Sequence, residues 1–149
     1  MPVQFELVTP ERLLISTMVD MVVVPGTEGN FGVLPGHAPL ISTIRPGTIE
    51  IYQGRTIVIE RIFVVGGIAE VTPERCTVLA DEAMPPDSLD RAVLQAELQV
   101  IDGNLPSLRD QVARATGTDR ERLSTELRAM ERQQTVARAK LQVLGEISR

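Results

Sequence analysis

Apolar and polar residues alternate along the first half of the chain, whereas the last third repeats at helical spacing. Val3, Phe5 and Leu7 alternate with Gln4 and Glu6, and Val19, Met21 and Val23 continue the period of two. "GTIEIYQG", "RTIVIE", "IFVVGG", "IAEVT" and "RCTVLA" then follow one another, separated by Gly, Pro or charged turns. Short strands every ~8–12 residues with no helix between them predict an antiparallel β-sandwich or barrel. Gly66-Gly67, between two β-branched runs, predicts a two-residue hairpin turn, because glycine accepts positive φ at both positions. One stretch does not fit this rhythm. "VPGTEGNFGVLPGHAPL", residues 24–40, packs four glycines and three prolines among apolar side chains and reads as a stiff loop.

Pro85-Pro86 ends the strand pattern, and Asp87 or Ser88 offers an N-cap, with Asp90 near the positive end of the helix. Leu89, Val93, Ala96 and Val100 recur at i, i+4, i+7, i+11 and predict one apolar helix face. Gly103, Asn104 and Pro106 predict a break or kink near Asp102, since proline inside a helix costs ~3 kcal/mol, with a short helical piece over roughly 105–115 beyond it. Thr118-x-x-Glu121 is a capping-box pattern. From it Leu123, Leu127, Met130, Gln134, Ala137, Leu141 and Leu144 hold heptad spacing, predicting a helix of about 26 residues, ~39 Å long, with one narrow seam. The chain therefore divides into a β-sandwich over 1–86 and a helical hairpin over 87–149.

Composition narrows the function classes. Of 149 residues 43% are hydrophobic but only 3% aromatic, with no Trp, so the core is aliphatic. Residues 1–86 carry five Lys/Arg against ten Asp/Glu, while residues 107–149 carry nine against six. An acidic whole argues against nucleic acid as partner; the basic end suits either solvent or an acidic surface. No apolar run reaches ~18 residues, and the N-terminus has neither a basic nor an apolar leader region. Cys76 is the only cysteine, which excludes an internal disulfide and fits a reducing, cytoplasmic compartment.

Catalytic chemistry is poorly represented. His37 and Cys76 are single residues of their types, so no His/Cys metal site can form. Glu6, Glu50, Glu60 and Glu70 fall on outward positions of the strand pattern. A lone histidine in a Pro/Gly loop is far more often structural than a general base, and Cys76 sits in a strand expected to reach the core. The Gly-rich loop lacks the Lys-Ser/Thr of a phosphate loop and opens no helix; Glu28 would repel a phosphate. No cofactor is expected. What remains for residues 24–40 is a pre-organised interaction surface, with Phe31 exposed among glycines.

"GTEGNFGVLPGHAPLISTIRPG", "VVGGIAEV" and "TVLADEA" together resemble the epsilon subunit family of bacterial F-type ATP synthases, called delta in mitochondria. The resemblance covers essentially the whole chain. It implies a sandwich of about ten strands followed by a helical hairpin, and a rotor subunit without an active site of its own. The implied partners are the gamma subunit, the ring of membrane c-subunits and the catalytic β subunits. The implied place is the cytoplasmic face of the bacterial inner membrane, with membrane association through the complex only. By the same resemblance Glu28, Asn30, Phe31 and His37 are the ring-facing candidates. Arg120, Arg122, Arg128, Arg132, Arg138 and Lys140 are the candidates for contact with the catalytic subunits, where the hairpin of many relatives brakes ATP hydrolysis. The alternative is an ATP-sensing regulatory protein using Asp90 and Arg91. In the nucleotide-sensing motif of some relatives, Ile/Leu-Asp-x-x-Arg-Ala, arginine stands where this chain has Val93. Arg91 lies two positions early, roughly 160° around the helix. A third class, a small enzyme on a sandwich scaffold, would need His37 as its base.

Overall fold

A computed structural model describes residues 2–147; Met1, Ser148 and Arg149, which the expected domain limits include, lie outside the described residues. The chain divides into two compact units, one running to Ser88 and the other from Leu89.

The first unit contains β1 (Val3–Val8), β2 (Leu13–Val19), β3 (Met21–Gly26), β4 (Gly29–Val33) and β5 (Leu40–Ile44). It continues with β6 (Gly47–Gln53), β7 (Ile57–Val64), β8 (Gly67–Val71), β9 (Arg75–Ala80) and the two-residue β10 (Ala83–Met84). The strands hydrogen-bond in the order β10-β7-β6-β3-β5-β8-β9-β1-β2, with β4 paired to β3. This sheet curls over a single aliphatic core to which all strands from β1 to β9 contribute. Val3, Phe5 and Leu7 are buried there, as their alternation predicts, and so are Val22, Val24, Val33, Ile49, Ile51 and Val78. In β3 the inward set is Val22 and Val24 rather than Met21 and Val23, because Asp20 separates β2 from β3 and resets the alternation. One pair departs from the antiparallel rule: β1 runs parallel to β9, from Gln4↔Arg75 to Val8↔Leu79.

Gly66-Gly67 does not close a hairpin. β7 pairs with β6 and β10, whereas β8 pairs with β5 and β9, so the two glycines carry the chain between separate parts of the sheet. Gly67 lies between Ile44 and Ala80 in the ladder at φ +139, and a Cβ there would stand 2.0 Å from the Leu79 carbonyl oxygen. Gly67 therefore serves close backbone approach, which the local sequence cannot distinguish from a tight turn.

The second unit is a helical hairpin, α1 (Arg91–Arg114) and α2 (Gly117–Ile147), preceded in the first unit by one 3₁₀ turn at Pro86–Ser88. The cap of α1 is Asp90, not Asp87 or Ser88: its carboxylate accepts the amides of Ala92 and Val93 at 2.9 and 3.2 Å. Ser88 instead turns back to the Pro85 carbonyl. Nor does α1 break. It runs through Gly103, Asn104 and Pro106, all exposed, so the helix forgoes the bond from residue 106 to the Asp102 carbonyl, while Leu105 and Leu108 are buried. The buried or half-buried face is Leu94, Leu98, Ile101, Leu105, Leu108 and Val112, again a heptad. Val93 and Val100, on the face the sequence favoured, are exposed. α2 begins at Gly117, φ +60, which puts Thr118 inside its first turn, and the helix is 31 residues long. Its seam from Leu123 to Leu144 is half-buried or buried throughout. Gln134, the polar member, donates to the Asp102 carboxylate of α1 at 2.6 Å.

Candidate interaction surfaces

The stiff loop of the sequence is half a hairpin. Residues 21–33 form β3 and β4, paired from Val22↔Val33 to Gly26↔Gly29, with Thr27 and Glu28 alone at the turn. Gly29 at φ +134 allows the reversal. Glu28 stands exposed at this tip, followed by exposed Asn30.

Phe31 is half-buried and packs against the edge of the core, contrary to the expectation of an uncovered ring. It lies over Gly26, where a Cβ would meet its ring carbons at 2.9 and 3.0 Å. Gly26 thus makes room for the ring, whereas a Cβ at Gly29 would meet nothing within 4 Å and one at Gly32 would meet Met21 and Val23.

His37 does not join the other three. β4 carries the chain away from the tip for five residues, about 16 Å at ~3.3 Å each, before residues 34–39 turn at the far end. There the Gly36 amide bonds Pro73 O at 2.8 Å, and His37 Nδ1 lies 2.6 Å from Ala38 O. Glu28, Asn30 and Phe31 share one end of the sandwich unit, and His37 belongs to the other.

Sequence reading missed the residue that ties the tip down. Arg45, just after β5, donates through its guanidinium to Gly26 O and to Asn30 Oδ1. Its own amide bonds Pro25 O at 3.0 Å. Thr27 adds a second tie, its hydroxyl 2.8 Å from that of Thr43. "IRPG" reads locally as a turn, and no spacing rule links position 45 to positions 26–30.

A second surface comes from the outward side of the sheet. Cross-strand neighbours point to one face, and the register links Thr43↔Ile68, Ile68↔Leu79, Leu79↔Val8 and Val8↔Leu13. Ile68, Leu79 and Leu13 are 46%, 53% and 55% exposed, an apolar row crossing four strands. The next row is polar, Glu70, Thr77, Glu6 and Ser16, and Glu6 meets Arg75 at 3.5 Å. Exposed apolar residues in a contiguous row, rather than scattered singly, mark an association surface.

On α2 the six basic candidates point in three directions at 100° per residue: Arg120 with Arg138, Arg128 with Arg132, and Arg122 with Lys140. Arg122 pairs with Asp119 and Glu126 on its own helix, and Arg138 with Asp102 of α1. All these pairs are exposed and worth little individually. Asp90, the candidate for nucleotide, is engaged as the cap of α1. Buried Cys76 has its thiol pushed up to about 12 by desolvation, so it is not a nucleophile. Among the described residues no group of three His, Cys, Asp or Glu is placed to hold a metal ion. Among the same residues no helix is long and apolar enough to cross a membrane.

The family model described as ATP synthase, Delta/Epsilon chain, beta-sandwich domain matches residues 2–86. An ATP synthase epsilon chain of Rhodospirillum rubrum is 50% identical over 126 residues, 85% of this chain and 93% of that protein. The chain belongs to the ATP synthase delta/epsilon family. Another epsilon chain, of Rhodospirillum centenum, is 48% identical over 143 residues, 95% of this chain and 91% of its own length. The fold also matches a chain in the Euglena gracilis mitochondrial ATP synthase assembly of OSCP, F1 and c-ring. That match has a TM-score of 0.65 at 18% identity and covers 99% of this chain and 82% of that one. As a delta/epsilon chain, the protein is an accessory subunit of the ATP synthase rather than its catalytic one.

Proposed function

We propose that this delta/epsilon chain is a rotor subunit of the central stalk, coupling ion flow through the c-ring to ATP synthesis at the cytoplasmic face of a bacterial inner membrane. The observation that carries the reading is identity near one half to epsilon chains over 126 and 143 residues, sandwich and hairpin together. The β3–β4 tip, the end of the unit that carries Glu28, Asn30 and Phe31, is the ring contact, with Glu28 at its exposed apex. The apolar row Ile68–Leu79–Val8–Leu13 is the face for gamma: a rotor subunit must be gripped firmly, and desolvated aliphatic surface at ~25 cal/mol per Å² supplies a grip that exposed charges do not. The hairpin, with its exposed arginines, acts on the catalytic β subunits and slows hydrolysis.

The test is ATP hydrolysis by the catalytic head with gamma present, adding either the full chain or a version ending at Ser88. Gel filtration confirms that each binds. Slowing by the full chain alone supports the hairpin as a brake. Binding by both without slowing removes the brake and leaves the coupling role. Failure of both to bind gamma refutes the rotor reading.

A further inference from the structure

The β3–β4 tip, the ring contact of the rotor reading, is a weak piece of structure by itself. Its last pair is Gly26↔Gly29, two residues without side chains to pack, and glycine loses more conformational freedom on ordering than any other residue. An isolated two-stranded hairpin is marginal in water. Yet a contact surface that turns with a rotor needs a fixed shape. The ordering must come from outside the hairpin.

We propose that Arg45 and Asn30 form a clamp that presets the β3–β4 tip, so that both are positioning residues and Glu28 is the side chain the tip presents. The guanidinium reaches both strands of the hairpin at once: Nη1 donates to Gly26 O on β3 and Nη2 to Asn30 Oδ1 on β4. A planar fork can hold two acceptors in fixed relation, whereas a lysine ammonium is a single point on a flexible stem. Arg45 is itself well anchored. It follows directly on Ile44, which pairs with both Gly26 and Gly67, and its amide bonds Pro25 O. Gly47, two residues on, packs against Pro25, where a Cβ would come within 2.9 Å. With its amide oxygen turned to Arg45, Asn30 works inward, while Glu28 has the exposed apex.

This inference rests on the ring reading for its purpose but not for its geometry, and the experiment separates them. In the full-length chain, amide exchange of Thr27, whose N–H bonds Thr43 O at 3.1 Å, reports the tip, with the core amides of β9 as reference. Arg45→Gln, Arg45→Lys and Asn30→Ala should each speed Thr27 exchange, by about ten-fold for the first, since bonds to charged groups are the stronger class. The double variant Arg45→Gln/Asn30→Ala should exchange no faster than Arg45→Gln alone, the non-additivity expected of one shared interaction. Asn30→Asp, which keeps the acceptor, should hold the tip ordered. Core amides should not change. Wild-type exchange in Arg45→Lys, or additive effects in the double variant, overturns the clamp; so does acceleration of tip and core together. Should the glutamine variant not fold, Arg45→Lys and Asn30→Ala decide alone. Rebinding to membranes stripped of this subunit then tests the purpose. A loosened tip with weakened rebinding supports the clamp and the ring contact together. A loosened tip with unchanged rebinding supports the clamp and removes the ring contact.

Discussion

Gly67→Ala should be among the most damaging single-methyl changes in the sandwich, and the structure gives the reason in two separable parts. The first is conformational: φ is +139 at Gly67, and holding a non-glycine residue in such a region costs of order 1–3 kcal/mol. The second is steric. The added carbon would fall 2.0 Å from Leu79 O and 2.9 Å from Ala80 Cα, backbone atoms that cannot rotate away, and relieving an overpacked interior costs another ~1–3 kcal/mol. The sum is about 2–6 kcal/mol. Gly36→Ala supplies the control, because φ there is +83 but nothing lies within 4 Å of the new carbon, leaving only the conformational part of ~1–2 kcal/mol. Urea unfolding followed by tyrosine fluorescence isolates the right unit, since Tyr52 is the only tyrosine and there is no tryptophan. For a domain of this size each kcal/mol moves the midpoint temperature by about 4–8 °C, so thermal melts should separate the two variants clearly. Equal stability of Gly67→Ala and Gly36→Ala would refute the close approach of β8 to β9 at this point, and with it the account of why the chain needs glycine here.

Three further outcomes are expected. Phe31→Ala should cost about 1–2 kcal/mol, less than the ~3–5 of a core phenylalanine such as Phe5, because Phe31 covers the core edge only in part; urea unfolding of the two variants gives the comparison. Cys76 should resist thiol reagents at pH 8 in the folded chain and react only on unfolding. The folded thiol keeps its proton to about 12 against 9.0 when unfolded, so the unfolded state binds fewer protons between those values. Stability should therefore fall as pH rises from about 9 towards 12, by up to ~1.4 kcal/mol per pH unit from this group, and a Cys76→Ala variant should lose that component of the slope. Pro106→Ala should stabilise the hairpin by roughly 1–3 kcal/mol by restoring the bond to the Asp102 carbonyl, seen as a later loss of helical circular dichroism on heating.

How much of this was legible depended on whether the deciding contact was local. The inward residues of β1 and the seam of α2 could be read directly, because a period of two or of 3.5 survives in the order of residues. Gly66-Gly67 misled because a two-glycine turn and a glycine pressed against a neighbouring strand share one local signature. The separating fact, β8 lying beside β5 and β9, sits in residues far along the chain. The N-cap slipped because Asp87, Ser88 and Asp90 are all competent caps, and the 3₁₀ turn at Pro86–Ser88 consumed the first two.

The misread face of α1 has a different origin. That helix carries two apolar stripes. Leu94, Leu98, Ile101, Leu105, Leu108 and Val112 make one, and Val93, Ala96 and Val100, in register with Leu89 just before the cap, make the other. Periodicity alone cannot rank them; side-chain size can. A leucine buries more apolar area than an alanine or valine and gains in proportion, so the stripe with four leucines turns inward, leaving Val93 and Val100 exposed. The same stripe also explains the unbroken helix. Leu105 and Leu108 flank Pro106 on the buried side, and their burial, at roughly 1.5–3 kcal/mol each, outweighs the ~3 kcal/mol that proline costs. A break at Gly103–Pro106 would uncouple these leucines from the helix they pack with. In α1, packing across the hairpin overrides the local preference to stop.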